Sequence, residues 1–425
     1  MRILLTANAS YLPPRGGATR SNLAWLKRLS GGGHECRVVS SALADDASRR
    51  AQLQDEGIEF RLRGIRDGIE TAESGGLVFL STPEPGRRVQ TLRREIAGSR
   101  PDWVLVSSED VGHGLLREAF QSAPDRVVYL AHTPQWFPFG PESWNPDGSA
   151  AALLLRAAAV IAIGEHMAGY IGRHLGRPAA VIHPPIYPPG PWPRLGGFGR
   201  GFLTLVNPCA VKGISIFLAL ADRFPDAPFA VVPGWGTTAA DRDALRARPN
   251  VTFLPNVGDI QDLLSQTRLL LMPSLWYEGF GLTAMEAMLR GIPVVSSDSG
   301  GLVEAKRGTG YVLPVRPIER YEPEFDEHSL PKAVVEPADI EPWAAAVGRL
   351  LADRGEYERE AAASREAAAR FAAGVDPSRM ERFLLTLGRA EAAEPAGPPR
   401  HGVETLSPER RALLLQMLRK RAAEK

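Results

Sequence analysis

The chain predicts an α/β protein built as two doubly wound halves, and three observations carry that prediction. Short apolar runs suited to buried parallel strands alternate with helical patterns along nearly all of its 425 residues. A proline-dense segment, Val181-Ile182-His183-Pro184-Pro185-Ile186-Tyr187-Pro188-Pro189-Gly190-Pro191-Trp192-Pro193, breaks the alternation near the middle. Prolines at that density continue neither a helix nor a central strand, so the segment reads as a stiff, extended hinge. The length also suits two domains of roughly 150–200 residues.

In order, the first half predicts strands near Ile3–Thr6, Arg37–Ser40, Trp103–Ser107, Val127–Ala131 and Val160–Ile163, with a helix from about Ala18 to Leu29. After the hinge the pattern restarts at Phe202–Val206, Phe229–Val232, Val251–Leu254, Leu269–Met272 and Pro293–Ser296. The stretch from Val315 to Pro337 is rich in Pro, Glu and Arg and reads as an inserted loop. Beyond about Ala392 a Pro/Gly stretch predicts a flexible linker. The tail after it is a short amphipathic helix, with Ser407 as N-cap, Pro408 at its first position and an apolar stripe of Leu413, Leu414, Met417 and Leu418. In sheets of this kind ligands bind beyond the carboxyl ends of the strands, so the cleft between the halves is the expected site.

Composition narrows the function. With 50 Lys plus Arg against 49 Asp plus Glu, nothing global favours nucleic acid or an acidic surface. Two cysteines, Cys36 and Cys209, make neither a disulfide framework nor a Cys-based zinc site. No apolar run reaches bilayer length, and Met1–Thr6 is too short for a signal peptide, so a cytoplasmic location is expected. No cluster of His, Cys and carboxylates at ligand spacing predicts a metal or other cofactor. Asp259 and Asp262 read as charges at a helix N-terminus.

The densest chemistry lies in Met272-Pro273-Ser274-Leu275-Trp276-Tyr277-Glu278-Gly279-Phe280-Gly281, continuing through Leu282-Thr283-Ala284-Met285-Glu286. A strand ends at a glycine-rich turn that opens a helix, so free backbone N–H groups can receive an anion. Gly279 and Gly281 let the backbone approach a ligand closely. Glu278 lies in the turn and Glu286 some 7–8 Å further along the helix. One carboxylate can hold hydroxyls on each side of a phosphate group. A plain alternative for Glu286 is an i,i+4 pair with Arg290.

With this turn, the hinge and the two α/β halves, the sequence resembles the retaining glycosyltransferases of family 4, the group 1 transferases, over roughly residues 1–375. The Glu-x7-Glu signature is matched by Glu278 and Glu286, and Gly291-Ile292-Pro293-Val294-Val295 and Ser299-Gly300-Gly301-Leu302-Val303-Glu304 fit its continuation. The resemblance implies the GT-B fold: a Rossmann-like acceptor domain over 1–190 and a Rossmann-like nucleotide-sugar domain over 191–375. A helix over 376–392 would pack back on the body, with linker and tail over 393–425. It implies a nucleoside-diphosphate sugar as donor, an acceptor hydroxyl or amine, and no metal.

It also implies roles. Glu278 contacts the donor sugar and Glu286 the ribose, while backbone N–H groups of Gly279, Phe280, Gly281 and Leu282 hold sugar and phosphate. Lys212 is a cationic partner for the diphosphate. Its usual companion Arg is replaced here by Asn207, which supplies no charge. Gly16 and Gly17, after the first strand, can reach phosphate or acceptor; Gly234, Pro255 and Asn256 border the nucleotide. His132, at a strand's carboxyl end, faces the reacting centre, with a structural hydrogen bond as the plain alternative. Trp136, Phe137 and Phe139 either wall the acceptor site or anchor their loop.

Two other functions stay open on the sequence: nucleotide-sugar hydrolysis or epimerisation, and a catalytically silent sugar-binding partner, toward which Asn207 leans. Leu406-Ser407-Pro408-Glu409-Arg410-Arg411-Ala412-Leu413-Leu414 is similar to the linker helix of modular nonribosomal peptide synthetases. That similarity implies docking to a biosynthetic megasynthase and a peptide or polyketide acceptor. A surface helix is the plain alternative.

Overall fold

A computed structural model describes residues 1–14, 16–42, 49, 52–54 and 56–390. The linker and tail helix expected after Ala392 lie outside these residues. Residues up to Phe383 form one compact unit.

The first sheet contains β1 (Arg2–Ser10), β2 (Glu35–Ser41), β3 (Arg61–Arg66), β4 (Ile69–Ser74), β5 (Leu77–Ser81), β6 (Trp103–Ser107), β7 (Val127–Ala131), β8 (Ala159–Ala162) and β9 (Ala180–Val181). Its spatial order is β3-β4-β5-β2-β1-β6-β7-β8-β9. Every pair from β5 to β9 is parallel, while β3 and β4 add an antiparallel edge. Strands β6, β7 and β8 are buried along their whole length. Continuous apolar runs such as Trp103-Val104-Leu105-Val106 therefore suit them, because helices cover both faces. The covering helices are α1 (Gly16–Gly31), α2 (Pro85–Ser99), α3 (Gly114–Ser122), α4 (Gly148–Arg156) and α5 (Glu165–Leu175).

The second sheet holds β10 (Phe202–Val206), β11 (Phe229–Val232), β12 (Val251–Phe253), β13 (Thr267–Met272), β14 (Val294–Ser297) and β15 (Val312–Leu313). Its order, β12-β11-β10-β13-β14-β15, is wholly parallel. The order reverses between β10 and β13, as it does between β1 and β6 in the first sheet. A doubly wound sheet opens a crevice beyond the strand ends at such a reversal. Its helices are α6 (Ile214–Arg223), α7 (Ala239–Arg246), α8 (Ile260–Leu264), α9 (Leu282–Leu289), α10 (Gly301–Ala305), α11 (Glu341–Ala352), α12 (Arg354–Gly374) and α13 (Arg379–Ala390).

The expected strands lie within a residue or two of these positions, except that β1 runs on to Ser10, four residues past the expected end. The segment between Arg61 and Ser81 yielded no expectation, yet it makes three strands. Its first member, Arg61-Leu62-Arg63-Gly64-Ile65-Arg66, is exposed throughout and lacks any apolar alternation. The excursion from Val315 to Pro337 is not only loop: β16 (Tyr321–Phe325) and β17 (Pro331–Ala333) form an antiparallel hairpin within it.

The chain closes on itself around the hinge. On α12, Arg365 donates to the carbonyls of Leu289 at 2.8 Å and Trp192 at 2.6 Å, tying the second lobe's core to the proline segment. Helix α13 then returns to the first lobe, where Glu381 pairs with His34 at 2.7 Å. The lobes also meet directly. Glu304 of α10 accepts a hydrogen bond from the His166 backbone N–H at 3.0 Å, capping α5, and the Tyr277 hydroxyl donates to the His166 carbonyl at 3.1 Å. Gly164 precedes α5, and a Cβ there would lie 2.7 Å from the Glu304 carboxylate, so a larger residue would push that carboxylate off its cap. Among the described residues no helix is long and apolar enough to cross a membrane.

Candidate functional site

The loops after β10 and β13 meet at the second sheet's reversal. After β10, residues Ala210–Lys212 make one 3₁₀ turn, and Gly213 follows with φ +75. A Cβ on Gly213 would come within 2.0 Å of the Pro273 carbonyl oxygen, so glycine is what lets the two loops touch. This contact delivers Lys212 to the turn after β13. The Lys212 ammonium pairs with the Glu278 carboxylate and lies 4.4 Å from the Trp276 ring centroid. Ser274 Oγ donates to the same carboxylate at 2.5 Å. Burial pushes the Glu278 carboxyl up, but Lys212 and the Ser274 hydrogen bond pull the other way, and the carboxyl is held below the usual range. The pair is therefore ionised, largely shielded from water, and self-neutralised.

Around it, Gly281 has φ +107 and opens α9, whose first-turn N–H groups lack intrahelical partners. A Cβ on Gly279 would lie 2.2 Å from the His132 carbonyl oxygen, and one on Gly17 would lie 3.0 Å from Leu282 Cδ1. Gly17 and Gly279 thus sit where the second lobe's turn abuts the first lobe. Glu286 projects from α9 without forming the i,i+4 ion pair with Arg290. Arg290 donates instead to the Glu286 carbonyl at 3.0 Å. Burial raises the Glu286 carboxyl, while Arg20 of α1 and Arg290 pull it down.

Asn207 occupies the left-handed region at φ +58, where Asn is tolerated and a long side chain is strained. Its Oδ1 accepts from the Gly236 N–H at 3.0 Å, and Cβ contacts from a substituted Gly234 would fall on Asn207. Asn207 is thus engaged in shaping the turn around Gly234, a structural task the sequence did not reveal. Asn256 performs a similar one, donating to the Pro233 carbonyl at 3.1 Å beside Pro255.

In the first lobe His132 is buried and neutral: burial takes its pKa from 6.5 to about 3. Its Nε2 lies 2.8 Å from Asn22 Oδ1, and its Nδ1 has no partner. Of the two readings for Phe137 and Phe139, acceptor wall or loop anchor, their packing fits the second: both lie inside the first lobe's core with Tyr129 and Tyr170, and Phe137 is fully buried. Their apolar area anchors the loop and presents nothing to a ligand. Trp136 alone of the three stays half-buried.

Aromatic residues the sequence passed over gather beside Lys212 instead. Trp276 lies 6.1 Å from Trp144 of the first lobe and 5.4 Å from Trp235, and Trp144 lies 5.9 Å from Tyr321 of the inserted hairpin. Also unnoticed was the Glu109-Asp110 dipeptide at the carboxyl end of β6. Two carboxylates shortly after the apolar run Trp103-Val104-Leu105-Val106 were the signal available.

Comparison with known proteins names the family. Residues 15–188 match the family described as Glycosyltransferase Family 4, and residues 203–353 the family described as Glycosyl transferases group 1. Together they take in most of both lobes. The chain belongs to the group 1 glycosyltransferases and has the GT-B fold. Among sequence relatives, an uncharacterized glycosyltransferase, YqgM of Bacillus subtilis, is 39% identical over 103 residues, covering 22% of this chain and 28% of that protein. The alpha-1,3/1,6-mannosyltransferase alg-2 of Neurospora crassa is 24% identical over 193 residues, or 43% of this chain and 36% of that protein. The chain thus spans about a third of the length of these relatives. Among solved structures, sucrose-phosphate synthase from Thermosynechococcus elongatus aligns with TM-score 0.64 at 16% identity, covering 92% of this chain and 98% of that one. TarM of S. aureus, solved with UDP among its ligands, aligns with TM-score 0.63 at 10% identity over 91% and 99%.

Proposed function

We propose that this group 1 glycosyltransferase moves a sugar from a nucleoside-diphosphate donor to an acceptor hydroxyl or amine, with retention at the anomeric carbon. The observation that carries the proposal is the shielded Lys212–Glu278 pair at the reversal of the second sheet, beside a glycine turn that opens a helix. Each side chain neutralises the other until a donor arrives. The diphosphate then takes Lys212 and the helix amides, and the sugar's hydroxyls take Glu278. Glu286, eight residues on, is free of an ion pair among the described residues and holds the ribose.

With both glutamates engaged in binding, neither serves as the nucleophile used by retaining glycosidases. Departure of the diphosphate gives an oxocarbenium-like state, the acceptor enters on the same face, and the leaving phosphate takes its proton. The protein supplies position and charge stabilisation, and needs no metal for either. A donor screen with UDP-, GDP-, ADP- and dTDP-sugars and product analysis tests the reaction. Absence of glycosyl transfer from every donor, in a protein whose melting point those nucleotides do not raise, refutes the proposal.

A second function, a silent donor-binding partner, is favoured by one observation: Asn207 leaves Lys212 without a cationic companion in its loop. Melting-point elevation by a donor that no acceptor turns over would select it. We place the acceptor among natural-product peptides, polyketides or saccharides, reached with a megasynthase docked on the C-terminal tail and in the cytoplasm. Deleting the residues after Ala392 and comparing activity with and without pathway partners tests the docking.

A further inference from the structure

A chain of buried polar groups lies at the reversal of the first sheet, behind His132. Glu109 accepts from the Tyr11 hydroxyl at 3.3 Å and from the Ser107 hydroxyl at 3.3 Å. Asn22 of α1 donates through Nδ2 to the Tyr11 oxygen at 2.6 Å and the Ser107 oxygen at 3.1 Å. Asn22 Oδ1 in turn faces His132 Nε2 at 2.8 Å. All five side chains are buried.

Counting protons fixes the direction of every bond. Each hydroxyl has one proton, and an ionised Glu109 only accepts, so both protons point to it. The two hydroxyl oxygens then have only lone pairs left, which matches the two N–H bonds of the Asn22 amide. Asn22 must therefore present its carbonyl oxygen to His132, and Nε2 must carry the ring proton. Nδ1 remains as a bare lone pair, buried and without a protein partner. The His132 carbonyl sits against the Gly279 turn, which places this residue at the boundary of the lobes.

We propose that Glu109, acting through Tyr11, Ser107 and Asn22, holds His132 as the Nε2–H tautomer, so that Nδ1 accepts a hydrogen bond from a substrate hydroxyl. Glu109, Asn22, Tyr11 and Ser107 are positioning residues; His132 touches the substrate. Only the identity of that hydroxyl's owner rests on the transferase function proposed above. The tautomer does not.

The same geometry makes the chain reversible. If Glu109 takes a proton, it donates to one hydroxyl, that hydroxyl turns its own proton toward Asn22, and the amide flips. Asn22 then donates to Nε2, and His132 carries its proton on Nδ1, presenting a donor where it had presented an acceptor. Burial raises the Glu109 carboxyl to about 7, with Tyr11 and Ser107 pulling the other way, so the flip falls in an accessible range. The ring itself stays neutral there. Other ionisable groups nearby are Asp110, which accepts from Asn8 Nδ2 and the Leu116 N–H, Arg88, which donates to Asn8, and His113 and Arg49 on adjoining segments.

The test is nitrogen-15 spectroscopy of histidine-labelled full-length protein, with the His132 signals assigned by their loss in His132→Gln. At pH 8 the expected pattern is a protonated Nε2 and an unprotonated Nδ1. Glu109→Gln, whose amide can donate to a hydroxyl, is expected to give the opposite tautomer or a mixture, as is Asn22→Ala, which removes the carbonyl facing Nε2, if Glu109→Gln fails to fold. A His132 that keeps its proton on Nε2 in the folded variants overturns the relay. So does a wild-type tautomer that is unchanged between pH 8 and pH 5. In turnover assays, Glu109→Gln is expected to lower kcat about tenfold, the scale of one hydrogen bond made in the transition state, and to abolish the acidic limb near pH 7. A retained limb with unchanged kcat overturns the substrate contact, even where the spectra support the tautomer.

Discussion

The two lobes are wound alike yet furnished oppositely. Each sheet reverses its strand order once, and each reversal opens a crevice lined by the loops after its first and fourth parallel strands. In the second lobe that crevice holds a cation on a carboxylate, Lys212 on Glu278. In the first it holds a buried hydrogen-bonded chain that runs from Glu109 through two hydroxyls and an amide to the neutral imidazole of His132. Topology sets where a ligand goes, and the side chains at the reversal set what kind. A lysine at one reversal suits a diphosphate, and a neutral imidazole held by hydrogen bonds at the other suits hydroxyls.

Substitutions can break that contrast, beginning with stability. Phe137→Ala is expected to destabilise the first lobe by about 3–5 kcal/mol, the cost of emptying a buried aromatic site, with little change on Trp136→Ala. Chemical denaturation checks both, and an equal small loss for the two would return Phe137 to the ligand wall. Next, Lys212→Ala is expected to lower kcat roughly ten- to a thousandfold by removing one preorganised charge. Unchanged turnover would take the cation out of the reaction. Glu278→Ala is expected to impair sugar transfer more than binding of the free nucleoside diphosphate, compared by turnover assay and calorimetry.

Acid sharpens the comparison further. His132 titrates at 6.5 unfolded and about 3 folded, so the folded state binds fewer protons between those values and loses stability as pH falls through them. Glu109 works in the opposite sense. Raised from 4.5 to about 7, it contributes fully below 4.5 and its contribution fades as pH rises through 7. The two oppose each other between about 4.5 and 6.5, leaving His132 alone below. There the slope of wild type is expected to exceed that of His132→Gln by up to about 1.4 kcal/mol per pH unit, over the losses that both share from carboxylates held low such as Glu278, measured by denaturation at stepped pH. The smallest effect is reserved for Asn207→Arg. It restores the family's cation but places a long side chain at φ +58, so a loss of about 1–2 kcal/mol is expected in melting experiments.

Much of this architecture was legible because buried parallel strands announce themselves. Runs such as Val127-Val128-Tyr129-Leu130-Ala131 tolerate no polar face, and the proline segment marks its own conformation. The exposed edge strand Arg61–Arg66 gave no such signal, since its side chains meet water on both sides. At the site, Glu278, Glu286, Lys212 and the glycines follow from one continuous stretch and a known family pattern. Asn22, Tyr11, Ser107 and Glu109 come from three separate segments, and only folding brings them into one chain of hydrogen bonds. Phe137 and Phe139 show the converse difficulty: an aromatic in a proline-rich loop looks the same whether it faces a ligand or the core.

The return of the C-terminal helices has a bearing on engineering. Arg365 grips the proline segment's carbonyls, and Glu381 reaches back to His34, so the polypeptide visits the first lobe twice. A chimera that borrows a donor-specific half from a relative cannot be made with a single splice at the hinge. It needs two junctions, the later one near Val375, so that the closing helix stays with the parent whose surface it matches.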